Sequence, residues 1–166
     1  MRVFIVSIAL SLTPIVVADD PVHRNPRSAI EAYLTAALAG KVDDATAIAR
    51  ANTQASDKDT LHELDALIDA PTLKVPTVLV GQLNGRAIAV SEQVKLTEPD
   101  HGRDTGYLVF QIILEQSTNK WLVIDIDFDT EQRKKEQVEA FKKDHSDAKS
   151  VPVTPKPNPP QPDNGG

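Results

Sequence analysis

A chain of 166 residues that is 40% hydrophobic is long enough for one domain with a true core, plus appendages. Its formal net charge of −6 and pI near 5.2 leave no concentrated basic surface for nucleic acid or an anionic membrane, so neither is expected as a partner. The absence of cysteine excludes disulfides, a thiolate nucleophile, Cys-ligated zinc and a lipid-modified N-terminal cysteine.

The N-terminus, MRVFIVSIALSLTPIVVADD, has Arg2, an apolar run from Val3 to Val17, and Val16-Val17-Ala18 before two aspartates. It reads as a signal peptide over residues 1–18, cleaved after Ala18, because small residues at −1 and −3 suit the peptidase. The run falls short of the roughly 20 residues that span a bilayer, and Pro14 interrupts it. The mature protein is therefore expected to be secreted or periplasmic, without membrane insertion.

The residues that follow have helical spacing. In NPRSAIEAYLTAALAG, Asn25 is placed to cap, Pro26 suits the first helical position, Ile30, Tyr33, Leu34, Ala37 and Leu38 form one stripe, and Gly40 is the stop. DDATAIARA predicts a short second helix capped by Asp43 or Asp44. SDKDTLHELDALIDAP predicts a third, capped by Ser56 and ended by Pro71, with Leu61, Leu64, Leu67 and Ile68 on its apolar side.

From Leu73 the period changes to two. LKVPTVLVGQLNGRAIAVSEQVKL predicts two strands joined by a type I′ turn at Asn84-Gly85. A polar loop, TEPDHGRDTG, leads to YLVFQIILEQ, and STNK turns into WLVIDIDF. Alternation places Leu108, Phe110, Ile112 and Leu114 on one side of the third strand. It places Leu122, Ile124, Ile126 and Phe128 on one side of the fourth, with Asp125 and Asp127 opposite beside Trp121 and Val123. DTEQRKKEQVEAFKKDH then predicts a charged helical extension over residues 130–149, capped by Asp129 and docked by Phe141. Six of the twelve prolines fall in residues 150–166, a composition expected to give a disordered, partly polyproline-II tail.

The expected fold class is thus α+β: three N-terminal helices packed on a curved four-stranded antiparallel meander, then a charged C-terminal helix and a disordered tail. Residues 19–129 form the domain proper. AIEAYLTAALAGKVDDATAIA, NGRAIAV and KWLVIDIDF carry a resemblance to the nuclear-transport-factor-2-like superfamily, the cystatin-like cone shared with ketosteroid isomerase and polyketide-cyclase relatives, and to its secreted members. The resemblance covers roughly Arg27 to Phe128. It implies a cone with a pocket between helices and sheet and dimerisation through the sheet; it does not imply catalysis.

Outward aspartates cannot serve such a pocket. Asp125, Asp127, Asp129 and Glu136 partly match a calcium loop, but Thr130 stands where that loop needs a residue tolerant of positive φ, so no metal is expected. The four histidines (His23, His62, His101 and His145) lack zinc spacing, no phosphate loop precedes a helix, and no cofactor is expected. Glu92 shares a row with Ile88, Val90, Val94 and Leu96, which makes it the candidate pocket acid, with Tyr33 and His62 as further polar lining. Three functions compete. The first is an exported non-catalytic accessory or binding domain, self-associating or taking a small apolar ligand. The second is a small-molecule isomerase, dehydratase or hydrolase, and the third an extracytoplasmic module that engages another protein or a second copy.

Overall fold

The computed structural model describes residues 20–68, 73–100 and 103–151. The expected signal peptide and all of the expected tail beyond Val151 lie outside them. Among the described residues the fold is α+β, with four helices and an open antiparallel sheet of six strands. Helices α1 (Pro26–Ala37), α2 (Val42–Ile48) and α3 (Lys58–Leu67) come first, with a single 3-10 turn (Gln54–Ser56) before α3. Strands β1 (Thr77–Gly81), β2 (Arg86–Val90), β3 (Val94–Asp100), β4 (Arg103–Glu115) and β5 (Lys120–Asp129) follow. Helix α4 (Glu131–Asp144) and the two-residue strand β6 (Lys149–Ser150) end the described chain.

The first helix forms as its sequence dictates. Asn25 accepts a hydrogen bond from the Ser28 N–H at 2.9 Å, Pro26 is N1, and Gly40 adopts a φ of 65° beyond the end. The other caps differ from expectation. Helix α2 starts at Val42, with Asp43 and Asp44 in its first turn and no side-chain cap. Asp57 rather than Ser56 caps α3, accepting from both the N–H and the hydroxyl of Thr60, while Ser56 closes a reciprocal box with Thr53 one turn earlier.

The expected meander of four strands is present as a pairing order, but it is longer and twice interrupted. Strand β1 pairs β2, β2 pairs the middle of β4, and β4 pairs β5, while β3 pairs the start of β4 and β6 adds to the free edge of β1. The second expected strand breaks at Ser91 because its hydroxyl accepts the Leu108 N–H at 2.9 Å, a donor the ladder would otherwise claim. The Glu92 N–H then turns to the Lys74 carbonyl. The polar loop also shrinks, since β3 and β4 continue until Asp100 faces Arg103. At the first hairpin only Gly85 has positive φ, so the loop is four residues long between Gly81 and Arg86 and is not the expected type I′ turn.

These interruptions change which side chains face the helices. In β5, Gln111 is opposite Asp125 but Ile112 is opposite Val123, so Ile124 is an unpaired bulge. The phase flips there. Trp121 and Val123 therefore face inward with Ile126 and Phe128, and Leu122 faces outward, which corrects the uniform row expected. In β2 the inward residues are Ala87 and Ala89, with Ile88 and Val90 on the other side, so the row that was to carry Glu92 inward does not exist.

Helices α1 to α3 cover one face through a cluster that includes Ile30, Tyr33, Leu34, Leu61, Phe110, Ile112 and Val123. Each large side chain so buried contributes about 1.5–3 kcal/mol. The charged helix expected as a solvated extension instead lies across the opposite face, against β2, β4 and β5. Beneath it Ile88, Val90, Val109 and Leu122 are buried. Thr130, not Asp129, caps α4, accepting from the Arg133 N–H.

Phe128 lies over Gly106, where an added Cβ would sit 2.2 Å from the ring. Gly106→Ala is expected to destabilise the fold by about 1–3 kcal/mol and to cost much less in a Phe128→Leu background, as urea unfolding of the single and double variants would report.

Candidate functional site

Among the described residues, the space between α1 and the sheet is occupied by side chains. Tyr33, Phe110, Ile112 and Val123 are each 0% exposed there, and close packing of this kind leaves no volume for a substrate. Tyr33 is part of that filling. Its hydroxyl donates to the Ala55 carbonyl at 2.8 Å, fixing the 3-10 turn against α1, and burial pushes its pKa upward.

The three candidate residues do not meet. His62 is exposed on α3, at a shallow depression formed with Gly40, Lys41, Asp43 and Lys58. Glu92 is exposed at the kink between β2 and β3, with one carboxylate oxygen 3.4 Å from the Lys74 N–H. The row expected to carry it inward breaks at the kink, which leaves this carboxylate facing solvent.

Two further concave surfaces among the described residues lie on the other face of the sheet, on the flanks of α4. One cleft, of about 730 Å³, is floored by Ile88 and Ile113 and walled by Gln137, Ala140 and Phe141. Arg86, Asn84, His145, Asp127 and Asp144 supply its polar groups. His145 is held by a ring contact with Phe141 at 4.4 Å and by Asn84 at 3.3 Å from Nδ1, and it closes against Gly81. The second groove, of about 570 Å³, holds Val90, Tyr107 and Val138 between Glu92 and the basic side of α4.

The α4 charges that line the second groove are paired with one another. Glu131 accepts from Lys134 at 2.7 Å and pairs with Lys135 at 3.3 Å, and Lys134 lies 3.7 Å above the Tyr107 ring. The hydrogen bonds from Lys134 and then Tyr107 hold the Glu131 carboxyl down to about 2, and the Glu131 bond raises the Tyr107 phenol. The Glu131 contribution is therefore present above the unfolded-state value near 4.3 and lost only as pH falls through about 2; solvent screening at this half-exposed side chain keeps it small.

The aspartate strip divides by neighbour. Asp129, 3% exposed, receives Gln137 and, at 3.3 Å, Arg133. Asp125 and Asp127 have amides for partners: Gln111 at 3.2 Å and Gln137 at 3.3 Å, respectively. Partial burial, and then the charge of Asp127, raise the Asp125 pKa.

Sequence reasoning missed Arg27, whose guanidinium is buried. It donates to the Val75 carbonyl at 2.6 Å and to Pro76 and Val151 at 3.3 Å, joining α1 to the β1 edge and to the returning chain. Its place on the helix beside Ile30 and Tyr33 was the available signal, since a cation on a buried stripe needs carbonyl partners.

No protein-family model, curated protein or solved structure matches this chain.

Tyr33→Phe leaves the buried Ala55 carbonyl unpaired and is expected to cost about 1–3 kcal/mol, whereas Glu92→Gln stays within about 0.5 kcal/mol of the parent. Chemical denaturation of both variants tests the assignment; equal effects would contradict it.

Proposed function

We propose that this chain is an exported, non-catalytic accessory or binding domain of the nuclear-transport-factor-2-like kind, with its working surface on the outer face of the sheet beside α4. The observation that carries the reading is the filled interior: Tyr33, Phe110 and Ile112 occupy the volume that a cone enzyme keeps open for substrate. An isomerase, dehydratase or hydrolase needs an acid or base desolvated within a cavity. Tyr33 is committed to a backbone carbonyl, and Glu92 and His62 are exposed on separate surfaces. What remains for binding is the pair of clefts along α4, the larger of which has apolar side chains at its base and polar groups at its rim. That arrangement suits a small ligand with an apolar body, held without chemical change. On the same reading residues 1–18 are an export signal and this surface works outside the cytoplasm.

The test is an amide chemical-shift titration of the mature chain, beginning at Asp19, with indole as a largely apolar probe. Shifts centred on Ile88, Ile113, Phe141 and His145 are expected. Shifts centred on Ile30, Tyr33 and Phe110 would instead place the ligand inside the cone and overturn the proposal.

A further inference from the structure

The cleft between α4 and the outer face of β2, β4 and β5 contains charges of both signs that do not neutralise one another. Arg86 opens β2 and lines the cleft, yet its guanidinium has no hydrogen-bond or ion-pair partner among the described residues. Asp144, on the last turn of α4, likewise lacks a partner among them. Asp127 has only the Gln137 amide at 3.3 Å. A guanidinium and two carboxylates thus border one cavity without a salt bridge between them, above a floor of Ile88, Ile113 and Phe141.

From this we infer that the cleft is a site for a zwitterion with an apolar body: a free apolar amino acid or dipeptide. Arg86 takes the ligand carboxylate, for which its planar fork is suited. Asp127, against Gln137 at the opposite end of the cleft, takes the ammonium, and the apolar side chain rests on Ile88, Ile113 and Phe141. The volume of about 730 Å³ is ample for a dipeptide and lies within the range of small-molecule sites. An anion alone would face two carboxylates, and a cation alone would face Arg86; a ligand carrying both charges meets a complement at each end. His145 contributes by position, since its ring is clamped between Phe141, Asn84 and Gly81 and forms one wall.

The inference rests on the proposed binding surface, and calorimetry on the mature chain separates the two. L-phenylalanyl-L-leucine is expected to bind, while its C-terminal amide and its N-acetyl form each bind about tenfold more weakly. Arg86→Gln, at an exposed position, weakens the free dipeptide about tenfold but weakens the amide no further. Asp127→Asn does the same for the free dipeptide against the N-acetyl form. Equal affinities for the three ligands, with indole still shifting the cleft amides, would overturn the charge pairing and leave the binding surface standing. No binding of any dipeptide together with no indole shift at the cleft would overturn both.

Discussion

Strand β4 carries apolar side chains on both faces, and burying both is the constraint on which the rest of the molecule depends. Leu108, Phe110 and Ile112 point toward α1, α2 and α3, while Val109 points the other way, and all four are at most 1% exposed. One layer of helices cannot satisfy such a strand. A second cover is required, and α4 supplies it by lying on the outer face against β2, β4 and β5. The chain then returns as β6 to the edge of β1, where the Val151 carbonyl accepts from Arg27 on α1. Residues that read as a charged appendage are therefore tied back to the first helix.

This double burial explains which parts of the structure were legible in the sequence. Elements of strong period emerged where expected: the stripe of α1, its Asn25 cap, the hairpin order and the α+β class all follow from local chemistry. Face assignments failed wherever a single residue broke the period. Ile124 as a bulge and Ser91 as a kink each invert the side-chain phase, and both depend on the Ser91 hydroxyl or on pairing across β4, which no local pattern reveals. Glu92 was carried inward by that uncorrected phase. His62, expected as pocket lining, is turned to solvent by α3.

The carboxylates also acquire separate roles once α4 is in place. Asp129 is absorbed into the strand-to-helix junction by Gln137 and Arg133. Asp125 and Asp127 remain on the outer face with amide partners, and their mutual repulsion and partial burial keep the Asp125 pKa up. Of a strip that suggested calcium, Asp127 alone lines the α4 cleft. Self-neutralised pairs on the other flank, around Glu131 and Tyr107, leave little charge there for a ligand. Electrostatics favours the Arg86 side for recognition.

The central claim is that the space between α1 and the sheet is full and that binding belongs to the opposite face. A crystal of the mature chain pressurised with xenon tests this directly, because xenon enters dry apolar cavities and leaves packed cores unoccupied. The account predicts no xenon site between α1 and the sheet. Xenon density among Ile30, Tyr33, Phe110 and Ile112 would contradict it.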